Sequence, residues 1–161
     1  MDLIHNLDFS SLDIFPYREL SLQEIYHLLD KNVICRLGLC EENIPYIVPM
    51  YYYYCIENND MYFYMTSKFT ESDVNNIFKN KNVSIEVDSP VDDTCNANYK
   101  SIIISGEIVS TESVTSSNKI IENIFSDSIE FIKKYLNYKK DNNLVLIKIK
   151  VNIIRGRETL L

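Results

Sequence analysis

Pro45-Tyr46-Ile47-Val48-Pro49-Met50-Tyr51-Tyr52-Tyr53-Tyr54-Cys55-Ile56 is the stretch on which the fold turns. Alternate side chains of a strand point to opposite faces. One face therefore carries Tyr46, Val48, Met50, Tyr52, Tyr54 and Ile56, and the other Ile47, Pro49, Tyr51, Tyr53 and Cys55. Both sets are apolar or aromatic, so neither side of the strand can lie open to water. The inner face fills a core. The outer face must meet a helix, a second subunit or a ligand, and each buried phenol needs a partner for its O–H.

Working outward, Glu41-Glu42-Asn43 and Glu57-Asn58-Asn59-Asp60 are turns that bracket this strand. Strands at Val33–Leu39 and Met61–Thr66 flank it, which predicts an antiparallel meander. Further strands are expected at Val83–Val87, from Tyr99 to about Thr111, and at Leu144–Val151, before a tail containing Arg155-Gly156-Arg157. Ser21 and Glu24 form an S-x-x-E capping box for a short helix running to about Asn32, with Leu22, Ile25, Leu28 and Leu29 at helical spacing. A second helix is expected over Thr70–Asn80, and one or two more between Ser113 and Tyr138. Residues 1–20 read as an extended arm, and Ser89–Asn98 as a polar loop. Six strands with a few short helices in 161 residues predict one domain, mainly β, built as a six-stranded antiparallel barrel.

The bulk properties narrow the function classes. A net charge of −7 with scattered Lys and Arg argues against nucleic acid. No apolar run reaches the ~20 residues of a membrane span, and the N-terminus carries acids where a signal peptide wants bases, so a cytoplasmic protein with no membrane partner is expected. Cys35, Cys40, Cys55 and Cys95 form no C-x-x-C pair and, with only His5 and His27 available, no metal site is expected. No G-x-G-x-x-G follows a strand.

Six segments then resemble, in order, the strands of the pyridoxamine 5'-phosphate oxidase-like flavin-binding split barrels, nearest the nitroimidazole-resistance branch. Val33-Ile34-Cys35-Arg36-Leu37-Gly38-Leu39 is similar to its opening strand, and Pro45-Tyr46-Ile47-Val48-Pro49-Met50 to its P-Y-V-V-P strand. Met61-Tyr62-Phe63-Tyr64 stands at the Y-F-H strand, and Asn82-Val83-Ser84-Ile85-Glu86-Val87-Asp88 resembles R-V-C-F-E-V-D. Tyr99-Lys100-Ser101-Ile102 followed by Gly106 is similar to Y-R-S-V…G, and Ile153–Arg157 to the closing x-T-G-K-R.

The resemblance implies a split-barrel homodimer with flavin mononucleotide (FMN) in clefts at the seam, acting on a small flat substrate such as a nitroaromatic or quinone. Carried over by position, Val48, Pro49, Met50 and Tyr51 would line the isoalloxazine ring, partly through backbone groups. Tyr64, Met65, Thr66 and Ser67 would follow the ribityl chain, and Tyr99, Lys100 and Ser101 would reach in from a neighbouring strand, of the same or the partner subunit. Tyr64 stands where the family often has a reductive His and is the candidate catalytic residue; a phenol donates a hydrogen bond but shuttles protons poorly at neutral pH. Where the family pairs a Lys with the cofactor phosphate, this chain has Ser72-Asp73. Lys68, beside a helix start near Thr70, is the replacement cation, or else a solvated loop residue in a chain that has lost the phosphate site. The alternatives are a cofactor-free dimer and a haem-binding one with His5, His27, a Cys or a Tyr as axial ligand.

Overall fold

The computed structural model describes residues 16–67, 79–89, 99–113 and 145–160. Seven strands and one helix occur there: β1 (Tyr17–Glu19), α1 (Leu22–Lys31), β2 (Ile34–Glu41), β3 (Ile44–Glu57), β4 (Asp60–Ser67), β5 (Asn82–Asp88), β6 (Lys100–Ser113) and β7 (Val145–Thr159). The helices expected over Thr70–Asn80 and Ser113–Tyr138, Ser72-Asp73, Lys68, His5, Cys95, the bulk of the Ser89–Asn98 loop and most of the N-terminal arm lie outside the described residues.

The strands pair antiparallel in the order β1-β7-β4-β3-β2-β5-β6, and β6 pairs back to β7. Six strands thus form a closed ring, as the sequence predicts, with β1 added to the margin of β7. Both β2–β3 and β3–β4 are joined by two-residue loops in which Glu42 and Asn43, then Asn58 and Asn59, take positive φ (47°, 68°, 52° and 71°). Left-handed residues at both central positions give the turn whose twist matches the flanking strands, and Asn tolerates it.

The barrel interior is apolar. Leu37, Phe63, Ile85, Val87, Ile102, Ile104, Ile108, Ile147 and Ile149 are fully buried, and Met50, Tyr52 and Met65 join them. Helix α1 packs on this core through Ile25, Leu28 and Leu29. Its capping box forms as expected: Ser21 Oγ accepts the Glu24 N–H at 3.4 Å, and the Glu24 carboxylate accepts the Ser21 N–H at 2.9 Å.

Two expectations are corrected. The last strand does not stop at Val151; β7 runs to Thr159, so Arg155-Gly156-Arg157 is strand rather than tail. Residues 17–19 are not only an arm, since β1 pairs Tyr17 with Thr159 and Glu19 with Arg157. Both changes have one cause. At Gly156 a Cβ would stand 2.9 Å from Leu20 and Ile25, so the bare backbone lets the β1–α1 corner press onto β7 and hold it extended.

Strand β3 serves two neighbours in turn. It pairs with β2 over Ile44–Tyr51 and with β4 over Tyr52–Glu57, changing partner at its midpoint. That change is the split in the barrel.

Candidate functional site

The two-faced reading of β3 holds along the middle of the strand, whereas Tyr46 and Ile56, expected on the core face, are 38% and 56% exposed where the strand runs past the core. Met50 and Tyr52 are buried inside, with Val48 and Tyr54 packed against the same core. The opposite side chains form an outer face. On it Ile47 is 68% exposed and Tyr51 36%, beside Ile34 of β2 at 50%. Cross-strand register extends the face sideways: Ile47 lies opposite Gly38, and Gly38 opposite Ser84, while Pro49 lies opposite Arg36, Arg36 opposite Glu86, and Glu86 opposite Ile103. Gly38 presents no side chain there, where a Cβ would stand 3.3 Å from the Ser84 carbonyl, and Arg36 is paired with Asp88 at 2.5 Å.

The backbone of β3 adds directional groups to this face. Tyr52 N–H donates to Val33 C=O, so by alternation the even residues of β3 turn their polar groups toward β2. Pro45, Ile47 and Pro49 turn theirs toward the other margin, where the β4 ladder does not reach among the described strands. Proline has no N–H to lose there, which is why a strand margin accepts it. The margin therefore offers mainly carbonyls, with the Ile47 N–H between two prolines.

Further along the same outer face lies a polar cluster. Tyr53 stands opposite Tyr64, and Cys55 opposite Tyr62. Glu57 gathers three donors: Tyr64 O–H at 2.7 Å and Cys55 S–H at 3.3 Å on Oε1, and Lys148 Nζ at 2.8 Å on Oε2. Lys148 also sits 4.1 Å above the Tyr62 ring, a cation–π contact. Hydrogen bonds from Lys148, then Tyr64, then Cys55 hold the Glu57 carboxyl down at about 2. Burial, with the Glu57 bond, pushes Tyr64 up to about 12, against the pull of Lys148. Tyr64 is thus a neutral phenol at physiological pH, and Cys55, pushed up to about 11 by burial first and Glu57 second, is a protonated thiol.

This arrangement carries a pH prediction. A carboxyl with a depressed folded-state pKa stabilises the fold above its unfolded value, and that contribution disappears as pH falls toward the folded value. The difference in melting temperature between wild type and Glu57→Gln is expected to be full at pH 6 and to shrink between about pH 4.5 and 2.5. A difference that stays constant across that range would mean the Glu57 bonds contribute no proton-linked stability.

The expected site residues divide into three groups. Pro49, Tyr51, Tyr64 and Thr66 alternate onto the outer face of β3 and β4. Val48, Met50 and Met65 turn inward, so what they offer a ligand is backbone; Ser67 ends β4 opposite Val145. Tyr99, just before β6, and Ser101 on it reach the outer side, where Tyr99 O–H contacts Asp88 Oδ2 at 3.4 Å. Lys100 faces the other way, in a row with Glu158 and Arg18 beneath α1, its Nζ 3.6 Å from Glu158 Oε1. Ser101 is also three strands from Tyr51, roughly 14 Å in one chain, so the β6 residues and the β3 residues do not converge within a single copy.

Sequence reasoning missed Arg36, Glu57 and Lys148. Period-two alternation could have found them: Glu57 continues the Tyr51-Tyr53-Cys55 face, and Lys148 sits between the buried Ile147 and Ile149. Among the described residues no group of His, Cys, Asp and Glu could hold a metal ion, and no helix is long and apolar enough to cross a membrane.

Residues 21–158 match the family described as pyridoxamine 5'-phosphate oxidase. No curated protein sequence matches the chain. Among solved structures, an FAD-binding protein from Mesorhizobium loti superposes with a TM-score of 0.67 at 22% identity, covering 91% of this chain and 99% of that one. A candidate 5-nitroimidazole antibiotic resistance protein from Bacteroides thetaiotaomicron gives 0.61 at 19% identity, over 89% of this chain and 88% of the other. The haem storage protein HutZ from Vibrio cholerae gives 0.59 at 9% identity, over 83% and 92%. At such identities these likenesses establish a shared fold.

Proposed function

From the membership of this chain in the pyridoxamine 5'-phosphate oxidase family, we propose that it is an FMN-binding oxidoreductase, working as a homodimer in the cytoplasm and passing electrons to a small flat acceptor such as a nitroaromatic or a quinone. The observation that carries the reading is the outer face of β3. It is aromatic and apolar, and it runs beside a strand margin with backbone groups that no described strand uses.

A flavin fits those features. The isoalloxazine system is planar and carries a row of acceptors broken by one N–H along its pyrimidine edge. The Ile47 N–H and C=O match one acceptor and the single N–H of that edge, and Tyr51 and Tyr53 supply rings at the same surface. Bound flavin would supply the redox chemistry itself; the protein's part is to hold it, exclude water and orient the acceptor. Tyr64, whose O–H is donated to Glu57, is the candidate catalytic residue on that face. Tyr99 and Ser101 serve the cleft of a second copy, which accounts for their distance from Tyr51 in their own chain. Exposed Ile34, Ile47 and Ile103 on one face are what that copy covers. The free Cys35, Cys40 and Cys55 suit a reducing compartment.

A second reading keeps the dimer and drops the cofactor. It is favoured by one observation: Lys100, expected to reach into the cleft, lies against Glu158 on the side away from it. Titration with FMN and with riboflavin separates the two. The protein is expected to purify yellow, and FMN at a hundredfold its Kd is expected to stabilise it by ~2.7 kcal/mol, read as a rise in melting temperature. Riboflavin, lacking the phosphate, should raise it less. A colourless protein whose melting temperature ignores FMN would leave only the cofactor-free dimer.

A further inference from the structure

Four strands lay out the outer surface as a grid. Cross-strand register puts Pro49, Arg36, Glu86 and Ile103 in one row over β3, β2, β5 and β6, and Ile47, Gly38, Ser84 and Ser105 in the next. The first row runs apolar, cation, anion, apolar. Its two charged members are loosely joined within one chain, with Arg36 Nη1 standing 3.9 Å from Glu86 Oε2. That same Nη1 is bonded to Asp88, so among the described residues Arg36 keeps Nη2 and Nε to spare, and Glu86 accepts no hydrogen bond. Both side chains are open to water, at 47% and 37%. The second row is small where the first is charged, since Gly38 and Ser84 lie beside the pair.

We infer that two copies meet across a twofold axis running along the β2–β5 pair, so that Arg36 of each copy bonds the partner's Glu86. This register rests on the homodimer of the flavin reading and deepens it. A residue on a twofold axis meets its own copy. An axis along β2 would set Arg36 against another arginine, and one along β5 would set Glu86 against another glutamate. An axis along the charged row would do both. Like charges facing one another select against such contacts. Midway between β2 and β5, the same operation sets cation against anion twice. It also sets Gly38 against the partner's Ser84, where the lack of bulk lets the sheets approach, and exposed Ile103 against the partner's Pro49.

Curvature then makes the cleft. β2 and β5 belong to a closed ring of six strands, and the outside of such a ring is convex. Two convex walls touch along β2 and β5 and diverge on either side. What diverges is β3 of one copy from β6 of the other. Two equivalent wedges open, each with Tyr51 on one wall and the partner's Ser101 on the other. In a single chain those residues stand three strands apart, and the axis between β2 and β5 is the one that brings them face to face. The cleft is incomplete without the second copy, and the ion pairs stand at its back.

Reciprocal pairs make a mixing experiment decisive. Arg36→Glu alone puts two carboxylates into each contact, and Glu86→Arg alone two guanidinium groups. Each variant is expected to sediment as a monomer at concentrations where the wild type is a dimer. An equimolar mixture is expected to sediment as a dimer again, since each contact then joins a carboxylate of one variant to a guanidinium of the other. Either variant remaining dimeric alone, or a mixture that stays monomeric while both chains keep the wild-type circular dichroism, would overturn the axis. Arg36→Glu crowds a third carboxylate against Asp88 and Glu86, so a second variant guards against misfolding. Ser84 is exposed, and Ser84→Trp is expected to raise the dimer dissociation constant about tenfold by wedging the closest approach. An unchanged constant would also overturn the axis. None of these readings needs flavin. A colourless protein whose variants dimerise only when mixed would lose the oxidoreductase reading and keep the seam; a yellow one whose variants dimerise alone would keep the flavin and lose the axis.

Discussion

Truncating Phe63 to alanine is expected to cost about 3–5 kcal/mol of stability, enough to leave a domain of this size partly unfolded at 37 °C. Phe63 has no exposed surface, and its ring lies 5.2 Å from that of Tyr52 and 5.9 Å from that of Tyr54, centre to centre. The loss has two parts: the apolar area returned to water and the cavity left between β3 and β4. Neither tyrosine can swing in to fill it, since Tyr52 O–H is tied to the Leu29 carbonyl at 2.8 Å and Tyr54 O–H to Asp30 at 2.6 Å. Urea unfolding of wild type and variant checks it. Phe63→Leu should recover about half the difference, and a loss below about 1 kcal/mol for Phe63→Ala would mean that the barrel interior collapses more readily than its close packing implies.

The second large effect concerns assembly. On the proposed FMN-binding dimer, Ile47→Asp is expected to give a monomer in sedimentation and, with the cleft opened, to abolish FMN retention on a desalting column. Ile47 is 68% exposed in one chain and sits beside Gly38 on the outer face. In a twofold contact every residue occurs twice, so one substitution places two carboxylates in an apolar seam. Each loses apolar burial worth about 1.5–3 kcal/mol and adds a desolvated charge. Ile56→Asp is the control: Ile56 is 56% exposed, but it lies near the far end of β3 by the Asn58-Asn59 turn, and its replacement should change neither mass nor FMN retention. A wild-type protein that sediments as a monomer, or an Ile47→Asp protein that stays dimeric with its flavin, would remove this face from the interface.

Much of the fold was legible because period and punctuation agreed. The ladder from Val33 to Thr66 could be read from two Asn-containing turns and one strand whose faces are both apolar, and the helix start from Ser21 and Glu24. What misled was local chemistry overruled by distant packing. Arg155-Gly156-Arg157 looks like a tail, since glycine weakens a strand. Yet that glycine is required where Leu20 and Ile25 close in. The candidate site was legible by face and illegible by partner. Alternation gives the side of the sheet that Tyr51 and Tyr64 occupy. That Glu57 would collect Tyr64, Cys55 and Lys148 depends on β7 arriving beside β4, and Lys148 comes from 91 residues along the chain, a distance no local pattern spans. Lys100 is the converse case, a cation in a suggestive motif that the fold turns toward Glu158.

Pro45 and Pro49 have a bearing on how such a protein survives at high concentration. A barrel that opens along one side leaves a ribbon edge, and ribbon edges recruit further ribbons until fibres grow. Two missing amide hydrogens, four residues apart on the loose side of β3, deny an incoming strand every second rung it would need. A compact ligand that asks for only one or two rungs is still welcome. The gap can thus admit a small molecule while turning away the endless stacking to which an unguarded edge is prone.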